Sequence, residues 1–418
     1  MKVLIVNTSE RTGGAAVAAS RLMVALNNHG VKAKMLVRDK ETDALTVVPI
    51  GHAVLGEWRF LYERLIIWLN NLFSTRNLFK VSIANTGFDI TSLPEFKEAD
   101  LIHLHWINQG FLSLRDIRKI VASGKPVVWT MHDMWESTGI CHHAYDCDRY
   151  QTACHHCPFL RCQSSHDLSN RVFRKKQQLF ARSHIHFVAV SQWLASKASQ
   201  SAVIGQRPVT VIPNSISLSQ FTAVDRLDAR SALSVKERYV ICFGAARIDD
   251  DIKGLRYLVE ALQLLIGQGR YERQDIRLLL FGGIKDERVL ERLPVEATYL
   301  GYINDKSLLS QVYSASDIVV SSSLYETLGQ TLIEAQLCGC VPVAFGNSGQ
   351  ADIIDHRVNG YLADYLSAES LADGIDWGFQ SQLSLRDLKK NVVKKYSESV
   401  VADKYIELYQ KVKGYGQA

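Results

Sequence analysis

Residues 1–37 read MKVLIVNTSERTGGAAVAASRLMVALNNHGVKAKMLV, and this stretch decides the class of fold. The run Met1–Asn7 is almost entirely apolar, which is typical of a strand buried on both faces of a parallel sheet. A glycine-containing turn follows, and the Ala-rich stretch Ala15–Asn28 has the composition of a helix. A second apolar run, Val31–Val37, completes a strand, helix, strand unit. The sequence therefore predicts an α/β domain with a parallel sheet.

The same alternation continues along the chain and then starts again. Further strands of the first half are predicted at Leu101–His105, Pro126–His132, His186–Ser191 and Val209–Pro213. The second series consists of Tyr239–Gly244, Ile276–Gly282, Thr298–Leu300, Ile318–Ser321 and Val341–Phe345. We therefore expect two successive doubly wound domains, residues 1–215 and 216–396, followed by a helical segment, 397–418, that packs back toward the first domain.

Length and composition fit a globular protein of more than one domain. A chain of 418 residues is too long for one hydrophobic core, and with 47% apolar and 22% charged residues it is not disordered. No apolar run approaches the roughly 20 residues that cross a bilayer. Because the first strand begins at Lys2 without a leader sequence, we expect a cytoplasmic protein.

Charge is unevenly distributed along the chain. Residues 1–215 carry 25 Lys and Arg against 16 Asp and Glu, a net charge of +9, whereas the remainder carries −4. A basic half favours an anionic partner such as lipid headgroups or a diphosphate. Because the chain has no helix-turn-helix, zinc-finger or RNA-recognition signature, nucleic acid is not expected as a partner.

Residues 55–73 form an insertion in the first half, with apolar residues such as Trp58 and Trp68 at helical spacing. Charged residues, among them Glu63 and Arg64, interrupt the apolar run, so a helix that spans a membrane is not expected. Two interpretations remain open. The amphipathic helix packs on its own domain or a neighbour, or it lies on a membrane surface.

A second insertion, residues 139–166, is rich in Cys and His. Its spacing includes a C-x2-C pair, and four thiolates of this loop could bind a structural zinc ion tetrahedrally. Disulfides and free thiols are the alternatives. The predicted zinc ligands are Cys141, Cys147, Cys154 and Cys157.

In the second half, polar residues stand just beyond the strands, where open α/β sheets bind their ligands. Arg247 and Lys253 follow the strand Tyr239–Gly244, and two cations at this place suit a diphosphate. Arg247 could instead pair with the acidic run Asp249–Asp251.

A loop and a helix predicted over Leu328–Cys338 follow the strand Ile318–Ser321. Gly329 lets a ligand approach the N–H groups of the first helical turn, which attract phosphate. Glu326 stands in the loop before the helix, and Glu334 falls within it. A buried carboxylate there needs hydrogen-bond donors, such as the diol of a ribose, whereas a solvated helix acid is the alternative.

These features belong to a series of motifs that resembles the retaining glycosyltransferases of family four, which have the GT-B fold. The stretch YETLGQTLIEAQLCGCVPVAF (325–345) resembles the E-x7-E signature of that family, and GGAAVAASRLMVAL (13–26) its Gly-rich loop and first helix. Further similar motifs follow the same order: TMHD (130–133), VIPNSISLSQF (211–221) and GAARIDDDIKGLRYLVEAL (244–262). The resemblance covers nearly the whole chain and implies two Rossmann-like doubly wound domains that face a central cleft.

The resemblance also implies a role for each matching residue. Arg247 and Lys253 would hold the donor diphosphate and neutralise the leaving nucleotide. Glu334 would accept hydrogen bonds from the ribose and Glu326 from the transferred sugar. His132 would lie beside the reacting centre as a positioning or polarising group, a core histidine being the alternative. The other implied donor contacts are Gly13 and Gly14, the backbone of Leu328, Gly329 and Gln330, and the base region Gly282, Tyr302 and Ile303; the role of Asp352 stays open.

The expected activity is a retaining transfer of a hexose from a UDP- or GDP-sugar to a saccharide acceptor. Because fixed cations and a helix N-terminus can stabilise the leaving diphosphate, no cofactor is expected for the chemistry, and zinc would be structural only. The expected acceptor is polyprenyl-diphosphate-linked and belongs to bacterial capsule, exopolysaccharide or O-antigen synthesis, at the inner face of the plasma membrane. A GT-B nucleotide-sugar 2-epimerase and a non-catalytic nucleotide-binding scaffold are the alternatives.

Overall fold

A computed structural model describes residues 1–415 of the chain. The chain divides into two compact units. The first unit is formed by Met1–Ser215 together with the C-terminal helix Glu398–Tyr415, and the second by Ile216–Ser397. Residues 416–418, which end the predicted C-terminal segment, lie outside the described residues.

The first unit contains a parallel sheet of seven strands in the order β3-β2-β1-β4-β5-β6-β7. Its strands are β1 (Lys2–Ser9), β2 (Lys32–Asp39), β3 (Val47–Pro49), β4 (Leu101–Leu104), β5 (Val127–Met131), β6 (His186–Ala189) and β7 (Val209–Val211). The helices are α1 (Gly14–Asn28), α2 (Ala53–Asn70), α3 (Pro94–Glu98), α4 (Leu114–Ala122), α5 (Leu168–Ala181) and α6 (Gln192–Ser199). Strands β1 and β4 are fully buried where they pair, and His103 is the one polar residue among the paired positions.

The C-terminal helix completes the core of this first unit. Tyr405 and Tyr409 are buried among apolar residues of β1 and α1. Their hydroxyl groups form hydrogen bonds with Thr130 Oγ1 at 2.8 Å and with His103 Nδ1 at 2.7 Å. The last helix is therefore joined to β4 and β5 by polar as well as apolar contacts.

The second unit contains a parallel sheet of six strands in the order β10-β9-β8-β11-β12-β13. Its strands are β8 (Tyr239–Arg247), β9 (Ile276–Gly283), β10 (Glu296–Tyr299), β11 (Ile318–Ser321), β12 (Val341–Phe345) and β13 (Tyr361–Ala363). The helices are α7 (Arg226–Ala232), α8 (Leu255–Gly267), α9 (Lys306–Ala315), α10 (Gln330–Leu337), α11 (Ala368–Gln380) and α12 (Leu385–Tyr396).

These two parallel sheets, with helices between most successive strands, confirm the predicted fold class. Two boundaries differ from the prediction in a way that matters for function. Strand β8 continues through Arg247, with irregular pairing after Gly244, and α10 begins at Gln330 instead of Leu328. Across residues 1–415, no helix combines the length and the apolarity that crossing a membrane requires.

Candidate active site

The candidate site of the second unit lies at the point where its strand order reverses. Strands β8 and β11 are neighbours, and the chain leaves them toward opposite edges of the sheet, which opens a crevice at their carboxyl ends. The loops that follow the two strands are bonded to each other there. The N–H of Leu324 donates to the carbonyl of Ile252 at 2.8 Å, and Ser322 Oγ donates to the carbonyl of Gly254 at 2.8 Å.

Gly254 is required at this junction. Its φ of +67° is left-handed, and a Cβ there would lie 2.0 Å from the carbonyl oxygen of Ser322. Since no side chain fits, the two loops can approach only because this position is glycine.

This junction brings Lys253 and Glu326 together. Lys253 Nζ lies 2.7 Å from Glu326 Oε2, and about a quarter of each side chain is exposed. The loop after β12 holds the backbone of the glutamate, because the N–H of Glu326 donates to Ser348 Oγ at 3.2 Å and the N–H of Gly349 donates to the carbonyl of Glu326 at 2.7 Å. Three loops therefore hold the pair in place, and they follow three adjacent strands of the sheet.

Helix α10 begins beside this pair. Gly329 is its N-cap, with a φ of +90°, and the first turn has neither a side-chain cap nor an acidic residue. A Cβ on Gly329 would lie 3.5 Å from Glu326 Cγ, so the helix end and the glutamate are in contact range. Leu328 is buried and Gln330 is half-buried. An uncapped helix N-terminus next to a lysine is an arrangement that attracts an anion.

Arg247 ends β8 and forms ion pairs with its own loop. Its Nη2 lies 2.9 Å from Asp250 Oδ2 and its Nε lies 3.3 Å from Asp249 Oδ1, while 47% of the side chain is exposed. Asp249 Oδ2 also accepts the N–H groups of Lys285 and Asp286, which fixes this acid to the loop after β9. The local pairing that the sequence left open for Arg247 is thus the one observed.

Glu334 is almost fully buried in the second turn of α10. The hydroxyl of Tyr313 donates to Glu334 Oε2 at 3.4 Å, and burial followed by this carboxylate raises the pKa of the tyrosine. The structure thus contains a buried carboxylate at this position and not the solvated helix acid that was the alternative. A buried acid with a hydroxyl neighbour is suited to receive further hydroxyl donors.

The predicted base region lies at the end of β9 and in the segment after β10. Gly282 has a φ of +125°, and a Cβ there would lie 1.8 Å from the carbonyl of Ala245. Its N–H donates to the carbonyl of Gly301 at 2.7 Å, which links the two strand ends. Tyr302 is exposed and Ile303 is half-buried, so these side chains are accessible to a ligand.

His132 follows β5 in the first unit and is joined to a second histidine that the sequence analysis did not select. His105 Nδ1 lies 2.8 Å from His132 Nε2, and the two rings stack with centroids 5.1 Å apart. His105 follows β4, the strand next to β5 in the sheet. A signal for it exists, since the LIHLHW run places His103 and His105 on one face of an otherwise apolar strand.

The buried surroundings of His105 decide how the proton is shared. Its Nε2 is buried without a hydrogen-bond partner. If His132 donated from Nε2, the proton of His105 would occupy that buried Nε2 with no acceptor, which is costly. If His105 instead donates from Nδ1, only a lone pair stays unpaired, which costs less. His105 is therefore the donor, and the proton of His132 resides on Nδ1, because burial lowers the pKa of His132 to about 4 and keeps the ring neutral.

Gly13 and Gly14 lie at the start of α1. Gly13 is the N-cap with a φ of +92°, and the helix has no acid and no side-chain cap in its first turn. A Cβ on either glycine would meet no heavy atom within 4 Å. Both residues are exposed, so a ligand can approach this backbone closely.

One further positioning residue was missed in the sequence. Gln350 is fully buried after β12; its Nε2 donates to the carbonyls of Ser323 and Phe345 at 3.2 and 3.1 Å, and its Oε1 accepts from Ser321 Oγ at 2.8 Å. It thereby connects the ends of β11 and β12. The run GNSGQ (346–350) marks a turn, but a turn signal does not identify which residue bridges two strands.

The Cys and His insertion forms a compact loop after β5. Each of the eight cysteines, all within residues 1–415, has a free thiol. Burial raises the pKa of Cys154 to about 12 and of Cys157 to about 11, with a further contribution from neighbouring thiols. Within the described part of the chain, no three His, Cys, Asp or Glu residues are arranged to hold a metal ion. The zinc site thus stays a prediction.

Comparison with known proteins agrees with this geometry. Residues 12–220 match the family Glycosyltransferase Family 4, and residues 225–395 match Glycosyl transferases group 1. An uncharacterized glycosyltransferase of Methanocaldococcus jannaschii is 23% identical over 363 residues, which cover 80% of this chain and 90% of that protein. A phosphatidyl-myo-inositol mannosyltransferase of Mycobacterium tuberculosis is 27% identical over 216 residues, 49% of this chain and 54% of the relative.

A solved structure, the Anabaena protein HepE in complex with UDP, has the same fold with a TM-score of 0.65 and 17% identity, over 98% of this chain and 100% of that one. The strand orders, the two glycine-bearing helix starts and the family matches over both halves lead to one assignment. The chain is a glycosyltransferase with the GT-B fold and belongs to family four, the group 1 glycosyltransferases.

Proposed function

We propose that this enzyme is a retaining hexosyltransferase that moves a sugar from a nucleotide sugar to a saccharide acceptor. The observation that carries the proposal is the contact between Lys253 and Glu326 at the uncapped start of α10. A cation, an anion and a helix N-terminus within one crevice match the three parts of a sugar diphosphate: phosphates, sugar hydroxyls and the bond between them.

The proposed reaction breaks the bond between the anomeric carbon and a phosphate oxygen, and the electron pair leaves with the nucleoside diphosphate. The acceptor hydroxyl forms the new bond to that carbon on the same face of the sugar and gives its proton to the departing phosphate oxygen, which lies on that face. Lys253, Arg247 and the N–H groups of α10 would stabilise the charge that develops on the diphosphate. Such fixed charges perform this task without a metal ion, so we expect no metal requirement for transfer.

The remaining roles follow from position. Glu326 would accept hydrogen bonds from the transferred sugar once phosphate replaces it at Lys253. Glu334, buried beside the Tyr313 hydroxyl, would accept the ribose hydroxyls. The backbone of Leu328, Gly329 and Gln330 would contact sugar and phosphate, and Gly282, Tyr302 and Ile303 the base of a UDP- or GDP-sugar.

The first unit would contribute to the same reaction with backbone and histidine groups. Gly13 and Gly14 would bind the donor through their accessible backbone. His132, with its proton on Nδ1, would donate a hydrogen bond to a substrate oxygen, which makes it a positioning or polarising group instead of a base.

The acceptor is proposed to be a lipid-linked saccharide, such as a polyprenyl-diphosphate glycan of a bacterial capsule, exopolysaccharide or O-antigen, with the enzyme at the inner face of the plasma membrane. The net charge of +9 in residues 1–215 supports this proposal. The name of the mycobacterial relative, which describes transfer to a phosphatidyl-inositol, agrees with an acceptor bound to lipid.

A panel of UDP-, GDP- and ADP-sugars tests the donor proposal by thermal stabilisation, because a ligand that binds only the folded state raises its melting temperature. The stabilising donor is then incubated with acceptors, and the anomeric configuration of the product is determined by NMR. Retention supports the proposal. Inversion, or a failure of every nucleotide sugar to stabilise the protein, contradicts it.

A nucleotide-sugar 2-epimerase is the second candidate, because the same diphosphate site and sugar carboxylate would serve it. Donor turnover to an epimer without any acceptor would favour it. Nucleotide binding without turnover of either kind would favour a non-catalytic scaffold.

We retain structural zinc in the Cys and His loop as a separate proposal. Its support is that Cys141, Cys154 and Cys157 are buried and Cys147 is half-buried within the same short stretch of chain. Metal analysis of the purified protein, with a Cys154→Ser and Cys157→Ser variant as the control, decides it. One zinc per chain, lost in the variant, supports the proposal, and a metal-free protein contradicts it.

A further inference from the structure

Helix α2 buries two of its charged residues, Glu63 and Arg64. Glu63 Oε2 lies 3.1 Å from Arg64 Nη2. Glu63 Oε1 accepts the N–H groups of Ile83 and Ala84 at 2.7 and 2.9 Å, and Arg64 Nη1 donates to the carbonyl of Val81 at 2.9 Å. These bonds join the helix to the segment 81–84 and fix its rotation about its own axis.

The consequence is that the apolar side chains of α2 face outward. Five of them, together with Leu72 from the turn that follows, define a continuous stripe, here called the outward face: Trp58, Leu61, Tyr62, Leu65, Leu69 and Leu72. Trp58 is 66% exposed and Leu65 is 46% exposed. A surface helix normally turns such a stripe toward the core, so an apolar stripe held outward by buried charges indicates an interaction surface.

The turn after the helix extends the outward face at a conformational cost. Leu72 and Phe73 have φ values of +50° and +59°, which bulky residues rarely adopt. Phe73 is nevertheless 64% exposed, and its N–H donates to the carbonyl of Trp68 at 2.9 Å. Backbone strain that exposes a phenylalanine is unexpected unless the exposed ring has a use.

The charge around the C-terminal end of this surface is basic, whereas Glu57 is an exposed acid near its N-terminal end. From residue 64 to residue 88 the sequence contains no acid, and Arg76 and Lys80 are exposed. A cavity of about 540 Å³ opens beside the helix end, and Arg76, Arg161 and Phe159 are among its lining residues. The backbone N–H of Arg161 is bonded to Asn71 Oδ1 at 2.6 Å, which fixes the cavity wall to the end of α2. Arginine in a pocket beside an apolar surface suits the phosphate of a lipid headgroup.

We propose that the outward face of α2 inserts into the interface of an anionic lipid bilayer, with Arg76, Lys80 and Arg161 against lipid phosphates. This inference extends the proposed function, because binding to lipid would give the enzyme access to a lipid-linked acceptor. Only this purpose rests on the proposed function, and the binding itself does not. An amphipathic helix that lies in the interface plane gains affinity from buried apolar area and from attraction to anionic lipid together. The absence of acids over residues 64–88 favours an anionic bilayer over a second copy of the same surface, because two copies would bring like charges together.

The test is sedimentation of the full chain with vesicles of phosphatidylcholine alone or with one third phosphatidylglycerol. The wild type is expected to bind the anionic vesicles, and more weakly as salt is raised. A variant with Trp58→Ser and Leu65→Ser should bind them about tenfold more weakly or worse, because it loses two inserted side chains. A variant with Arg76→Gln and Arg161→Gln should lose the preference for anionic over neutral vesicles.

Matched controls separate the outward face from general apolarity and charge. Leu45→Ser with Leu227→Ser removes two other exposed leucines, and Lys32→Gln with Lys34→Gln removes two other exposed cations of the first unit; both should bind like the wild type. Absence of vesicle binding by the wild type overturns the inference. So does a dimer in solution that Trp58→Ser and Leu65→Ser dissociate. Vesicle binding and sugar transfer to a soluble acceptor are separate measurements. Binding can fail while transfer succeeds, and transfer can fail while binding succeeds, so a failure of this inference is distinguishable from a failure of the proposed function.

Discussion

Lys253 Nζ lies 2.7 Å from Glu326 Oε2, although 73 residues separate the two in the sequence. The contact arises because the loops after β8 and β11 are bonded to each other through Gly254 and Ser322. The carboxylate positions the lysine. A diphosphate can replace the carboxylate at this lysine, because it carries more negative charge than one carboxylate. We therefore regard the pair as the resting arrangement of a donor site, in which phosphate displaces Glu326 from Lys253.

Replacing Lys253 should impair catalysis more than stability. The Lys253→Met variant is expected to lower kcat/KM by about 10²–10³, which is the usual effect of removing one fixed charge from a developing anion. Its melting temperature should change little, because the pair is partly exposed and such pairs contribute about 1 kcal/mol or less. Steady-state kinetics and thermal unfolding check both parts, with Lys34→Met as the control. A kcat/KM within twofold of wild type would contradict the assigned role.

Arg247 offers a test between binding a ligand and pairing with its own loop. If it holds the diphosphate, Arg247→Gln should weaken UDP binding at least tenfold, while Asp250→Asn, which removes an acid from the same arginine, should leave binding equal or tighter. Titration calorimetry with UDP measures both. Equal loss in the two variants, or no loss in either, would indicate that Arg247 has only the local structural role.

His105 should act through His132. The His105→Leu variant removes the donor that fixes the tautomer of His132, and kcat should fall about tenfold with KM for the donor nearly unchanged. In His105→Asn the side-chain amide stands near the former Nδ1 and can still donate, so most of kcat should return. Equal rates in the Leu and Asn variants would show that the contact has no influence on transfer.

Buried neutral histidines should make the first unit sensitive to acid. Burial lowers the pKa of His103 to about 3, whereas an unfolded histidine has a pKa of about 6.5. Between these values the unfolded chain binds a proton that the folded unit does not, so the free energy of unfolding falls as pH drops below 6.5. At pH 5 this one group should cost about 2 kcal/mol. Urea unfolding at pH 7 and pH 5 measures the difference, which should shrink in His103→Asn but not in the exposed-site control His166→Gln. An unchanged difference in His103→Asn would contradict the assignment.

The sequence was sufficient for the fold class because long apolar runs and glycine turns encode parallel strands locally. It missed β3 and β13 but found β7, although all three have three residues, because a run of that length carries too little periodicity for consistent assignment. The apolar pattern of α2 was visible as well, but not its orientation. The orientation depends on where Glu63 and Arg64 find partners, and those partners lie in a segment about 20 residues away.

Candidate site residues were predictable where they belong to a recognisable family motif, as Lys253, Glu326 and Glu334 do. The contacts within the site were not predictable in the same way. The pairing of Arg247 with its own loop was one of two alternatives that the sequence left open. Whether His105 reaches His132 depends on the distance between two strand ends, which spacing along the chain does not contain. Residues that act through another side chain therefore emerge only from the three-dimensional arrangement.

The most direct test of the donor site is the affinity for UDP, and for GDP in parallel, of the wild type, Lys253→Met and Glu326→Gln, measured by titration calorimetry under one buffer condition. If phosphate displaces Glu326 from Lys253, Glu326→Gln should bind the nucleotide that the wild type prefers at least as tightly as the wild type does, because its lysine is no longer paired, and yet fail to transfer sugar. Lys253→Met should bind that nucleotide at least tenfold more weakly. Equal weakening in both variants, or equal affinity in all three proteins, would contradict the account.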